Sequence, residues 1–112
     1  FNPISALARA DMQVIATHAR LNGLVRNVMT EAVAAGHAHG IEFAMTVDQR
    51  LAMAGRLGPV KPSMLQDVEQ QRPMEVEAIV GAVVELARLE NVPTPTIDAV
   101  YALISGRDAT LR

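Results

Sequence analysis

Apolar residues recur every three or four positions along much of this chain, which is the period of a helix with one buried face. The longest such stretch runs from Thr17 to His39, and Gly40 is a suitable stop for it. Its apolar face consists of Leu21, Leu24, Val25, Val28, Ala32, Ala35 and Gly36. A second stretch, from about Glu75 to Glu90, has a wider apolar face, so we predict that it is the most buried helix.

Further helices are predicted from residues that favour helix starts, where a side-chain oxygen accepts bonds from free backbone N–H groups. Two of these residues are followed three positions later by a glutamine, Gln49 or Gln66, which is the spacing of a capping box. Two others precede Pro3 or Pro95, and proline is favoured at the first helical position. The predicted caps are Asn2, Thr46, Ser63 and Thr94.

The helices account for nearly the whole chain, because no strand-like alternation and no internal repeat is present. Gly106 is predicted to end the last helix, which leaves residues 107–112 as a loose tail. Aromatic residues are few and cysteine is absent, so the core must be aliphatic and no disulfide forms. We therefore predict a single all-α domain over residues 1–112, a bundle of five or six helices.

Charge and hydropathy exclude several classes of function. The net charge of −2 provides no basic face for nucleic acid. No apolar run reaches the roughly 18 residues needed to span a bilayer, and no signal segment opens the chain. We expect a cytoplasmic protein without a membrane or nucleic-acid partner. The chain starts with Phe1 instead of methionine, so we also expect it to be part of a longer protein.

Three motifs combine polar groups with helix starts. Near the middle, KPSMLQDVEQQRPME places Ser63 and Glu75 on either side of Pro73, and VPTP follows at Val92–Pro95. The chain itself opens with FNPISALARA. Together these motifs, in this order, resemble the C-terminal helical domain of ketopantoate reductases (2-dehydropantoate 2-reductases). The family has an Asn-Pro-Leu-Thr-Ala-Leu start, a serine before Met-Leu, and a Gly-Arg-Pro-Thr-Glu-Ile-Asp run.

The resemblance implies site roles for three residues, which are expected to line one concave surface. Asn2 and Ser63 correspond to family residues that line the substrate pocket, and Glu75 corresponds to a glutamate beside the catalytic lysine. That glutamate keeps the lysine as an ammonium, which gives a proton to the alkoxide formed at C2 of the substrate. Each residue also has a purely structural interpretation, Asn2 and Ser63 as caps and Glu75 as an acid at a helix start. Glu31 is expected on a solvated helix face.

The rest of the enzyme implied by the resemblance lies outside this chain. An N-terminal Rossmann domain would bind NADP, and the lysine would lie shortly before Phe1. The helical domain would be of the 6-phosphogluconate dehydrogenase C-terminal type, with a small 2-keto acid as substrate. The surface of the helical domain on which the Rossmann domain docks would remain uncovered in this chain. Self-association into a homo-oligomer is therefore also expected.

Departures from the family pattern leave alternatives open. Gln71 replaces the glycine of the Gly-Arg-Pro-Thr-Glu-Ile-Asp run and Met74 its threonine, while Asn91 replaces a glycine before the last motif. Asp11 and Met12 stand where the family has a second substrate-contacting asparagine. A helical interaction or dimerisation module that lost the chemistry is therefore the alternative function. A small DNA-binding domain is poorly supported by the acidic balance.

Overall fold

The computed structural model describes the whole chain, Phe1–Arg112, as an all-α domain without strands. This confirms the predicted fold class, although there are seven helices instead of five or six. A π-helical turn, Glu77–Gly81, leads directly into the sixth helix. In chain order the helices are α1 Asn2–Ala8, α2 Met12–Thr17, α3 Ala19–Ala38, α4 Val47–Leu57, α5 Ser63–Glu69, α6 Ala82–Leu89 and α7 Pro95–Ala109.

The helices pack around two adjoining aliphatic clusters. The first lies between α1, α5, the π-turn with α6, and α7; it contains Ala6, Met64, Val68, Met74, Val76, Val80, Val84, Ile97 and Ile104. The second joins α1 to α2, α3, α4 and α7 through Ile4, Ala10, Ile15, Val25, Leu51 and Val100. No aromatic side chain is buried, so the predicted aliphatic core is confirmed.

α1 takes part in both clusters and packs on α5 and α7. Four of its seven residues are buried. The prediction that the Glu75–Glu90 stretch forms the most buried helix is therefore wrong. That stretch is also irregular at its start, because Glu75 lies outside the helix and the first turn is π-helical.

The helix predicted from Thr17 to His39 begins at Ala19, because a break at His18 assigns Thr17 to the preceding helix α2. The backbone of His18 is extended (φ −73°, ψ 122°), and its Nδ1 accepts a hydrogen bond from the N–H of Leu21, so that α2 ends and α3 begins there. The predicted stop at Gly40 is confirmed, since α3 ends at Ala38 and Gly40 has a left-handed φ of 88°.

The predicted side-chain cap at the start of the helix is confirmed for α4 and wrong for α7. Thr46 and Gln49 form the predicted reciprocal capping box. Thr94 precedes α7, but its hydroxyl donates to Asp98. The N–H groups of Thr96 and Ile97 instead donate to the carboxylate of Glu31 on α3, at 3.0 and 2.8 Å. Glu31 is therefore not on a solvated face; it joins two helices.

The predicted loose tail is also wrong. α7 continues past Gly106 to Ala109, and Asp108 is buried. Leu111 packs against the first cluster, which explains why the chain stays ordered beyond the expected stop. None of the helices is both long and apolar enough to cross a bilayer.

Candidate functional site

Asn2 and Ser63, predicted as site residues, are in direct contact at the first turns of α1 and α5. Oδ1 of Asn2 accepts a hydrogen bond from the Ser63 hydroxyl at 3.1 Å and another from the N–H of Met64, also at 3.1 Å. The prediction that each of these residues caps its own helix is wrong. The N-cap positions belong to Phe1 and Pro62, which have no side-chain acceptor for this purpose.

This contact follows from how α5 begins. The first N–H groups of a helix lack partners within the helix, and a proline cap cannot supply a side-chain oxygen. Asn2 supplies one from α1, which packs closely against α5. The predicted capping box at α5 is absent, because the Gln66 side chain donates to the carbonyl of Lys61.

Asn2 also lines an open cavity of about 210 Å³ between α1, α3, the π-turn and α7. It is the one lining residue whose side chain can form strong hydrogen bonds. The other walls are aliphatic or aromatic: Phe1, Pro3, Val28, Met29, Ala32, Ile79, Val80, Val83 and Ile97. Such a cavity suits a small ligand that has an apolar body and a single polar end.

Glu75, the predicted catalytic residue, lines a different cavity from Asn2, so the expectation that Asn2, Ser63 and Glu75 line one concave surface is wrong for this domain. Glu75 is exposed, in the segment between α5 and the π-turn, and takes part in none of the five salt bridges of the domain. Its cavity, of about 290 Å³, has no lining residue in common with that of Asn2. The fold thus brings Asn2 and Ser63 together and leaves the Glu75 carboxylate without an ion-pair partner.

Asp108 was missed as a member of the Glu75 cavity. Its Oδ1 accepts a 2.7 Å bond from the N–H of Met74, and its Oδ2 accepts a 2.8 Å bond from Nε of Arg112. The Met74 N–H, followed by Arg112, holds the pKa of Asp108 below its usual value. The spacing of Asp108 and Arg112, which are four positions apart and opposite in charge, was the available sequence signal.

Glu77, on the same cavity, is held by α7. Its two carboxylate oxygens lie 2.8 and 2.7 Å from the Tyr101 hydroxyl, and this hydrogen bond raises the pKa of Tyr101. The carboxylate lies over Gly81, where a Cβ atom would collide with it. A glycine one turn after an acid is the sequence feature that permits this arrangement. Of the two neighbouring glutamates, Glu77 has a hydrogen-bond partner within the domain, whereas the Glu75 carboxylate has none.

Comparison with known proteins places this arrangement in context. Residues 1–108 match the ketopantoate reductase PanE/ApbA C-terminal family. The chain is 50% identical over 104 residues to a 2-dehydropantoate 2-reductase of Mesorhizobium japonicum, covering 93% of this chain and 32% of that protein. It is 29% identical to the corresponding enzyme of Pyrococcus abyssi, covering 96% of this chain and 36% of that protein.

Solved structures of ketopantoate reductases are also similar to this chain. The 2-dehydropantoate 2-reductase from Methylococcus capsulatus superposes with a TM-score of 0.87 at 32% identity, over 99% of this chain and 39% of that one. A dimeric ketopantoate reductase from Staphylococcus aureus superposes with a TM-score of 0.86 at 28% identity, again over 99% and 39%. The chain therefore spans about a third of the length of the curated relatives that it matches.

Proposed function

The chain belongs to the ketopantoate reductase C-terminal family, and we propose that it is the substrate-side domain of an NADPH-dependent reductase for 2-dehydropantoate or a related 2-keto acid. The family match over residues 1–108 carries this proposal. The Asn2–Ser63 contact supports it, because it joins two of the three motifs on which the resemblance rests. The product would be the 2-hydroxy acid, in pantothenate biosynthesis.

In this proposal Glu75 serves the proton side of the reaction. Reduction of the C2 carbonyl leaves an alkoxide that needs a proton, and a positioned ammonium is a suitable donor. An exposed carboxylate without an internal partner can hold a lysine from outside this chain and keep it protonated. Asn2 and Ser63 belong to the substrate side, and Asn2 lines a cavity that suits an aliphatic chain.

The residues present do not form a dinucleotide site. The domain has no strand, whereas the usual site needs a glycine-rich turn between a strand and a helix. The nicotinamide cofactor, which supplies the hydride, would be bound mainly by an N-terminal Rossmann domain, and NADP is the form that we propose. A second copy of the enzyme is a further proposed partner, since one structural relative is a dimeric ketopantoate reductase.

The test is a reductase assay on the full-length protein that contains this chain. NADPH oxidation would be followed with ketopantoate and with a panel of other 2-keto acids, and NADH would be compared as cofactor. Rapid reduction of ketopantoate or a close analogue supports the proposal. A correctly folded protein that reduces none of these acids would refute it and favour the alternative, a helical interaction or dimerisation module.

A further inference from the structure

The backbone that carries Glu75 has few hydrogen bonds of its own. Residues 73–75 lie outside any helix, and helical structure resumes at Val76. Pro73 has no N–H group, and the N–H of Glu75 has no acceptor within the domain. The N–H of Met74 is therefore the one bonded donor in this short segment, and its acceptor is Oδ1 of Asp108 at 2.7 Å.

The two sides of Glu75 are held differently. On the side that follows it, the carbonyl of Glu75 accepts a bond from the N–H of Ile79 at 3.2 Å, and the carboxylate of Glu77 is hydrogen-bonded to α7. On the side that precedes it, the bond from Met74 to Asp108 is the only hydrogen bond between the backbone of residues 73–74 and another helix. Loss of Asp108 should therefore free the Glu75 backbone more than loss of the Glu77 contact.

Asp108 is well placed to fix this backbone. It lies in the last turn of α7, only 8% of its surface is exposed, and its second oxygen accepts a bond from Nε of Arg112. α7 in turn packs on α1 and α3, and Ile104, one turn before Asp108, is fully buried. A buried carboxylate that is bonded through both oxygens has little freedom, so it defines where the Met74 backbone lies relative to α7.

The position of the Met74 backbone matters because Glu75 directly follows it. The Glu75 side chain makes no ion pair within the domain that would hold it in place. Its location is therefore defined mainly by the backbone that carries it. Catalytic geometry is sensitive to such shifts, since a displacement of about 1 Å can lower a rate by about a hundredfold.

We propose that Asp108 is a positioning residue for the reaction, which holds the N–H of Met74 and so defines where the Glu75 carboxylate meets the lysine ammonium of the full-length enzyme. Asp108 acts through the backbone and not through its charge, because Arg112 balances that charge. This inference rests on the proposed function, and it adds to the site a residue from the far end of the chain.

Two substitutions of Asp108 in the full-length enzyme separate the backbone contact from the charge. Asp108→Ala removes the acceptor and should lower kcat for ketopantoate about tenfold. KM should stay within about twofold of wild type, because the cavity of Asn2 shares no lining residue with that of Glu75. Asp108→Asn keeps an oxygen for the Met74 N–H, so its kcat should be within about twofold of wild type. An equal loss of kcat in both variants, or a loss seen only in KM, would overturn the inference.

A control variant shows whether lost stability alone lowers turnover. Thr46→Ala breaks the capping box of α4, a helix that contributes no residue to either cavity. It should lower the melting temperature, as Asp108→Ala does, and leave kcat within about twofold of wild type. If Thr46→Ala lowered kcat as much as Asp108→Ala, the effect of Asp108 would be one of stability and the inference would be overturned.

A double variant, Asp108→Ala with Glu75→Gln, tests whether Asp108 acts through Glu75. If it does, the double variant has the kcat of Glu75→Gln alone, about a hundredfold below wild type, because the group that Asp108 positions is already lost. If the two residues act independently, the losses multiply to about a thousandfold. Multiplying losses would overturn the inference.

Hydrogen exchange provides a measurement that does not depend on turnover. In the full-length protein, exchange of the peptide that contains Met74 would be followed by mass spectrometry. The Met74 N–H should exchange at least about tenfold faster in Asp108→Ala and at about the wild-type rate in Asp108→Asn. Unchanged exchange in Asp108→Ala would overturn the inference. A wild-type protein that reduces no 2-keto acid would count against the proposed function, and exchange would still decide whether Asp108 holds Met74.

Discussion

The backbone N–H of Met74 donates a 2.7 Å hydrogen bond to the carboxylate of Asp108. This contact fastens the last turns of α7 to the segment that carries Glu75. Since Met74 directly precedes Glu75, the end of the chain helps to define where the Glu75 carboxylate lies. Arg112 supports the arrangement by its ion pair with Asp108.

Replacing Asp108 should make the free energy of unfolding depend less on pH in the acid range. The pKa of Asp108 is lowered in the fold, so its contribution is present above the unfolded value of about 3.9 and is lost as the pH falls through the folded value. Asp108→Asn should cost about 1 kcal/mol at pH 7, because the bond from Met74 survives but the charge does not. Urea unfolding at pH 7 and pH 3 should show the difference from wild type shrinking in acid. A constant difference would contradict this.

Gln71→Gly should stabilise the domain. Gln71 adopts a left-handed φ of 56° after α5, in the position where the family has glycine. A left-handed residue with a side chain costs about 1–2 kcal/mol, so glycine should raise the free energy of unfolding by about 1 kcal/mol. Asn91→Gly, at a φ of 55°, is the matched comparison and should gain less, because asparagine tolerates this conformation. Thermal melts in which Gln71→Gly is no more stable than wild type would refute the prediction.

Removing the Glu31 carboxylate should weaken the docking of α7. Glu31→Ala leaves two N–H groups at the start of α7 without acceptors and should cost about 2 kcal/mol. Glu31→Gln keeps one acceptor and loses the charge, so about 1 kcal/mol is expected. Glu85→Gln, on the exposed face of α6, is the control and should change stability by less than about 0.5 kcal/mol. Equal stability of all three variants in urea would contradict the role of Glu31.

Helix starts could be predicted from sequence more reliably than the side chains that cap them. Thr46 and Gln49 are three positions apart, so their capping box is a local matter that the sequence contains in full. At α5 and α7 the acceptors come from Asn2 and Glu31, which are distant in sequence. Such contacts depend on how helices pack, which periodicity alone does not define.

The same limit applies to the candidate site. Asn2, Ser63 and Glu75 were identified from motifs, but the direct bond between the first two depends on α1 packing against α5. Asp108 was missed because Gly106 suggested a helix end, whereas the burial of Ile104 and the packing of the partly buried Leu111 against the core favour continuation of α7. Local turn preferences were overridden by packing at this point.

The helical domain on its own should not bind NADPH. It lacks the strand-to-helix turn that holds a pyrophosphate. Isothermal titration calorimetry of the isolated chain should therefore give no heat of binding at micromolar concentrations, while the full-length enzyme should bind. Micromolar affinity of the chain alone would show that this domain contains a nucleotide site of its own.

The most direct test of the account is the turnover of Glu75→Gln in the full-length enzyme, measured beside Glu77→Gln. Both glutamates line the same cavity, but Glu77 is held by Tyr101. If Glu75 holds a lysine ammonium that donates a proton, Glu75→Gln should lower kcat by about a hundredfold while leaving the melting temperature nearly unchanged. Glu77→Gln should lower stability modestly and leave kcat within a few-fold of wild type. Wild-type turnover in Glu75→Gln, or an equal loss in both variants, would contradict the proposed role of Glu75.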